Sequence, residues 1–185
     1  VGAGRLADPD TGALNPDEPR LAELIAVIDY ALAQPDMFVV LNAHHEKALK
    51  ESGRSAVLER LWADIAERLV DRDQRLIFEI LNEPHLENGD PMAPETLRAM
   101  TGAAYRQIRA RSHDRIVVIG GNQWFGAHEM ARTWPNLDAV GGGSDPFVMA
   151  TFHHYNPWEF AGDNQGDYAD AWTDADIRES MKIMD

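Results

Sequence analysis

Leu76-Ile77-Phe78-Glu79-Ile80-Leu81-Asn82-Glu83-Pro84 is the stretch whose reading decides the fold. Apolar residues dominate a short span, and a proline that cannot donate a ladder hydrogen bond closes it. The segment therefore predicts a buried strand running from Leu76 to Glu83. A carboxylate at the C-terminal lip of a buried parallel strand stands where helix-covered sheets place their chemistry. Asn82 gives Glu83 an amide neighbour and Pro84 fixes the backbone beyond it, a rigidity that suits a preorganised acid or base.

The same grammar recurs on both sides. Leu21, Leu24, Ile25, Ile28 and Leu32 fall on one helical face, after a Gly-, Pro- and Asp-rich stretch over residues 1–20 that reads as an irregular loop. Met37–Leu41 predicts a buried strand ending at Asn42-Ala43-His44-His45-Glu46. Val57, Leu58, Leu61, Trp62, Ile65 and Leu69 mark a second helix, with Trp62 in its core register. A third helix spans roughly Pro94 to Ala110, with Leu97, Met100, Ala104 and Ile108 inward. Arg115–Ile119 is the next strand, leaving through Gly120-Gly121. A short helix near Ala127–Thr133 precedes a strand over Phe147–Phe152 and the cluster His153-His154-Tyr155. A last helix starts near Asp174.

Helix–strand alternation with continuous apolar strands is the pattern of a parallel sheet covered by helices. Every strand here exits into a polar or aromatic residue: His44, Glu83, Trp124, Tyr155. A doubly wound sheet needs such exits only at its switch point, whereas a (β/α)8 barrel builds its site from all of them. The fold class expected is therefore α/β, a (β/α)8 TIM barrel of which only about half, four strands, is present. A full barrel needs eight strands and about 250 residues. Composition gives no reason to split the 185 residues into more than one partial domain.

The formal net charge of -14 excludes a nucleic-acid or anionic-membrane surface and fits a neutral substrate. No cysteine is present, so there is neither a disulfide framework nor thiolate chemistry. No apolar run approaches the ~20 residues needed to span a bilayer, and Val1–Arg5 lacks the apolar core of a signal peptide. Asp8-Pro9-Asp10-Thr11-Gly12 departs from a calcium loop in the position of its glycine, and Gly141-Gly142-Gly143-Ser144 lacks the lysine of a phosphate loop. Both read as plain loops.

Asn82-Glu83-Pro84 at a strand end resembles glycoside hydrolase family 5, the cellulase family, whose acid/base glutamate lies in an Asn-Glu-Pro motif after the fourth barrel strand. The resemblance makes the strands here the third to sixth of the barrel. It implies a retaining, endo-acting β-glycan hydrolase with Glu83 as general acid/base, and Asn82 bonded to the substrate 2-hydroxyl. Val39–His45 resembles the third-strand motif; period two puts Asn42 and His44 on the inward face, making His44 the sugar-contacting histidine. Phe152–Tyr155 resembles the sixth-strand His-x-Tyr, assigning His153 and Tyr155 to the reacting centre. Trp124 and Trp158 lie just past strand ends, where indoles stack on sugar rings.

The resemblance implies no cofactor and no metal, a β-linked polysaccharide or oligosaccharide as partner, and secretion by a signal outside this chain. It does not supply the nucleophile, which in the family follows the seventh strand; the chain ends after the sixth. The alternatives are a metal-dependent barrel hydrolase using the histidines and Glu83, and an inactive half-barrel remnant that binds carbohydrate. Adjacent histidines on a strand point to opposite faces, which weighs against metal. If the 185 residues were complete, the two open sheet edges would be expected to pair into a homodimer with negligible hydrolytic activity.

Overall fold

The computed structural model describes residues 6–44, 54–86, 88–136, 140, 144–155, 161 and 173–182. Strands β1 (Val39–Asn42), β2 (Leu76–Glu79), β3 (Val117–Gly120) and β4 (Val148–Thr151) form one parallel sheet in the order β1-β2-β3-β4. Helices α1 (Pro19–Leu32), α2 (Ser55–Leu69), α3 (Pro94–Arg109), α4 (Ala127–Thr133) and α5 (Asp174–Met181) intervene or follow. Sequential order in a parallel sheet with helical crossovers is the connectivity of a barrel wall, here a partial one.

The regular strands are shorter than the apolar runs predicted. β2 stops at Glu79 rather than Glu83, because beyond it the backbone is held by single bonds instead of a ladder. Ile80 N–H donates to Val118 O (3.2 Å) and Asn82 N–H to Ala43 O (3.0 Å). β1, β3 and β4 likewise begin one or two residues later than expected. The helices fall where the 3.6-residue period put them. Pro19 and Pro94 open α1 and α3, where a missing N–H costs nothing.

The two faces of the sheet differ sharply. Leu41, Phe78, Val117 and Val148 stand in one register row and turn toward the helices. Leu41 is 5% exposed and Phe78 1%, and α2 packs beside α3 over this face with Leu58, Leu61 and Trp62 fully buried. The next row, Asn42–Glu79–Val118–Met149, faces the barrel interior, and there Val40 is 54% and Met149 50% exposed. Burying a side chain of this size is worth about 1.5–3 kcal/mol. The stability of this segment therefore comes from the helix side.

At the N-terminal ends of the strands, arginines hold backbone carbonyls. Arg115 is fully buried and donates to the carbonyls of Val70, Arg72, Asp73 and Leu76. Arg75 donates to Leu32, Gln34 and Pro35, beyond the end of α1. Residues 8–12 form a turn closed on the Asp8 carboxylate by the N–H groups of Asp10 and Thr11. Leu6, Ala7 and Leu14 join the core, with a bridge between Ala7 and Leu14. Gly141–Gly143 lie outside the described residues.

Candidate active site

At the opposite, C-terminal ends, polar and aromatic side chains converge. Two buried indoles fix the strand exits: Trp62 Nε1–H donates to Ile80 O (2.7 Å) and Trp134 Nε1–H to Gly120 O (2.9 Å). The fully buried Asn122 amide ties the exit of β3 to the β2–α3 connection. It accepts from Met92 N–H (3.0 Å) and donates to Met92 O (2.6 Å). On this base the backbone adopts left-handed torsions at non-glycine residues: Glu83 (φ 44°), Gln123 (45°), Trp124 (58°) and Phe125 (61°). Each costs on the order of 1–2 kcal/mol, and such strain collects where side chains must be aimed.

The aiming is visible. Glu83 Oε1 meets His153 Nδ1 at 2.5 Å, with one hydrogen between them; the two side chains are 25% and 28% exposed. His153 is held from behind: its N–H donates to Phe125 O (2.9 Å), and its ring stands edge-on to Phe125 (centroids 5.1 Å). Phe125 itself lies over Gly120, where a Cβ would come within 2.2 Å of its ring. The glycine exit of β3 thus exists to admit a phenylalanine. Tyr155 stands edge-on to His153 on the other side, at 6.2 Å.

Trp124, 44% exposed, stacks on His85 (centroids 4.6 Å, interplanar angle 29°). His85 Nδ1–H in turn donates to the Glu83 carbonyl (2.7 Å). Gly89, at φ +87°, leaves room for the indole edge, 2.7 Å from where its Cβ would be. Glu83, Gln123, Trp124, Gly126, His153, Tyr155 and Ala161 line one open cleft of about 680 Å³.

Four residues singled out in the sequence, Glu83, Trp124, His153 and Tyr155, therefore share the cleft. Asn82 is buried beside it (5% exposed). Asn42 sits lower, on the interior face of β1, where its amide donates to the Glu79 carboxylate. His44 follows β1 and is half-buried. Trp158, His45, Glu46 and Glu159 lie outside the described residues. No group of three or more metal-ligating side chains occurs among the described residues.

Sequence reasoning missed Glu79, His85, Gln123 and Phe125. Glu79 was legible: it follows Ile77 at period two, on the face of β2 opposite Leu76 and Phe78. Burial pushes its carboxyl above the usual carboxylate range. The nearby charge of His153 and the Asn42 hydrogen bond pull it down, and the charge of Glu83 pushes it up.

The sequence model of the cellulase family, glycosyl hydrolase family 5, matches residues 1–184. The chain belongs to glycosyl hydrolase family 5. It is 29% identical over 171 residues to Endoglucanase H of Acetivibrio thermocellus, covering 91% of this chain and 17% of that protein. It is 31% identical over 172 residues to Endoglucanase A of Clostridium longisporum, covering 85% of this chain and 32% of that one. The chain thus spans a third or less of the length of these relatives. The crystal structure of cellulose synthase subunit Z from Clostridioides difficile superposes with a TM-score of 0.75 at 23% identity, over 98% of this chain and 59% of that chain. The architecture is that of a family 5 barrel wall.

Proposed function

We propose that this chain carries the acid/base half of an endo-acting, retaining β-glycan hydrolase, of the kind that cleaves β-1,4-glucan. The observation that supports it is the Glu83–His153 contact at 2.5 Å in a cleft flanked by Trp124 and Tyr155. With His153 Nδ1–H bonded to Oε1, Oε2 of Glu83 would carry the catalytic proton. As the glycosidic bond breaks, Oε2 gives that proton to the leaving oxygen, and the imidazole N–H stabilises the carboxylate left behind. In the second step the same carboxylate takes a proton from water. In this reading Asn82 would bond the 2-hydroxyl, with Asn42 at the end of the adjoining strand and His44 just beyond it.

Retention needs a second carboxylate about 5–5.5 Å from the first. Glu79 is engaged by Asn42 and is not among the residues that line the cleft. Among the described residues that line the cleft Glu83 is the one carboxylate, and the family resemblance puts the nucleophile after the barrel's seventh strand. Trp124 and, by its place in the sequence, Trp158 would stack on pyranose faces. Export is part of the proposal, since a polysaccharide is met outside the cell; no described helix is long and apolar enough to cross a membrane.

Azide tests the mechanism in the polypeptide that turns over glycan. Glu83→Ala should lose hydrolysis of β-glucan, and azide should restore turnover of an activated aryl cellobioside, with a β-glycosyl azide as product. An α-glycosyl azide, or no rescue, would refute the retaining acid/base role.

A further inference from the structure

Beside the cleft stands a side chain that the proposed chemistry does not use. His85 follows Glu83 and Pro84 on the exit of β2 and is half-buried. Its ring makes two contacts of different kinds. The edge bonds the Glu83 carbonyl through Nδ1 at 2.7 Å. A carbonyl only accepts, so Nδ1 carries the hydrogen. The face lies against the Trp124 indole, with centroids 4.6 Å apart and an interplanar angle of 29°.

Both partners need holding. Glu83 and Trp124 are non-glycine residues in the left-handed region, at φ 44° and 58°. Such torsions persist only where the surroundings over-determine them. The bond to the Glu83 carbonyl limits how the peptide before Pro84 can turn, and with it where the Glu83 side chain is aimed. The stack backs an indole that stays 44% exposed while it lines the cleft. A second bond, from Gln123 Nε2 to Gly89 O (3.2 Å), joins the same two strand exits. The residue type fits the double duty. Phenylalanine would stack without bonding, and asparagine would bond without stacking. An imidazole offers a flat face and an edge donor together.

We propose that His85 is a positioning residue for both halves of the site: its Nδ1–H holds the Glu83 peptide, and its face holds the Trp124 platform. The role rests on the glycosidase reading, with Glu83 as proton donor and Trp124 as sugar platform. A misplacement of about 1 Å at a reacting group costs on the order of 10²-fold in rate, so a group that never touches substrate can matter to turnover.

Steady-state kinetics on cellopentaose, in the polypeptide that turns over glycan, separate the two contacts. His85→Phe keeps the stack and removes the donor. Its kcat should fall about tenfold or more, with KM near the parent value. His85→Asn keeps a donor and removes the flat face. Its KM should rise about two- to tenfold, with a smaller change in kcat. That rise should vanish when Trp124→Ala is already present, because no platform is left to hold. A merely structural role would give both variants the same loss, without a split, and the loss would persist beside Trp124→Ala. That result would overturn the proposal. Urea denaturation checks that each variant is folded, and His85→Gln repeats the second arm if His85→Asn is not. Glu83→Gln is the control on the underlying reading. Full hydrolysis by that variant would overturn the glycosidase reading. A Glu83-dependent enzyme indifferent to both His85 variants would overturn the role of His85 alone.

Discussion

The two ends of the sheet are built on opposite principles. At the N-terminal ends, long cations are drawn onto backbone carbonyls and every bond serves to close the structure. Among the described residues no carboxylate is bonded to Arg115; four carbonyl dipoles hold its buried charge, while its Nε has no partner. Arg109 bridges Asp145 (2.6 Å) and the carbonyl of Arg115 (2.8 Å), tying α3 to the entries of β3 and β4. At the C-terminal ends the backbone takes strained left-handed turns, a buried oxygen goes without a donor, and indoles and imidazoles stay half-exposed. The same strands are therefore anchored at one end and aimed at the other. The stability gained below permits the strain above.

The comparison can be broken most forcefully at Arg115. Arg115→Met keeps the volume but leaves the carbonyls of Val70, Arg72, Asp73 and Leu76 without their donor. It should cost about 3 kcal/mol or more in urea denaturation. A loss below about 1 kcal/mol would show that water or relaxation replaces the guanidinium and that the lower end is not the anchor.

A smaller effect is expected at Asp145. Burial opposes its ionisation, yet hydrogen bonds from Tyr105, Arg109 and Phe147 N–H together hold its carboxyl below the ordinary value of 3.8. The folded-state pKa is thus depressed relative to the unfolded chain. Its contribution is present above the unfolded value and is lost as pH falls through the folded one. Asp145→Asn should cost about 1 kcal/mol at neutral pH and flatten the acid side of the stability curve. An unchanged acid limb would place the sensitive carboxylates elsewhere.

How much of this was legible follows the same division. Helices and strands were readable because the core side of the sheet obeys simple periods: Leu58, Leu61, Trp62 and Ile65 on α2, and Leu76, Phe78 and Ile80 along β2. Glu83, His153, Tyr155 and Trp124 were readable because strand exits follow where strands end. What escaped was the backbone that aims them. Gln123, Trp124 and Phe125 take torsions that nothing in their residue types announces, and Phe125 carries His153 from a position that reads as an ordinary loop. Glu79 escaped for another reason: within an apolar run it looked like strand filling. Trp158 lies outside the described residues, so its place beside the cleft stays with the proposal.

The upper end should be the more forgiving in stability and the less forgiving in chemistry. Glu83→Gln keeps shape and a hydrogen bond to His153, so its stability should lie within about 0.5 kcal/mol of the parent. Its hydrolysis of β-glucan, measured by reducing ends in the polypeptide that turns over glycan, should fall by about 10²–10⁴-fold, the usual worth of a general acid. Hydrolysis of an aryl cellobioside with a dinitrophenolate leaving group, which needs little protonation, should fall far less. Equal losses on both substrates, or no loss on either, would contradict Glu83 as the proton donor.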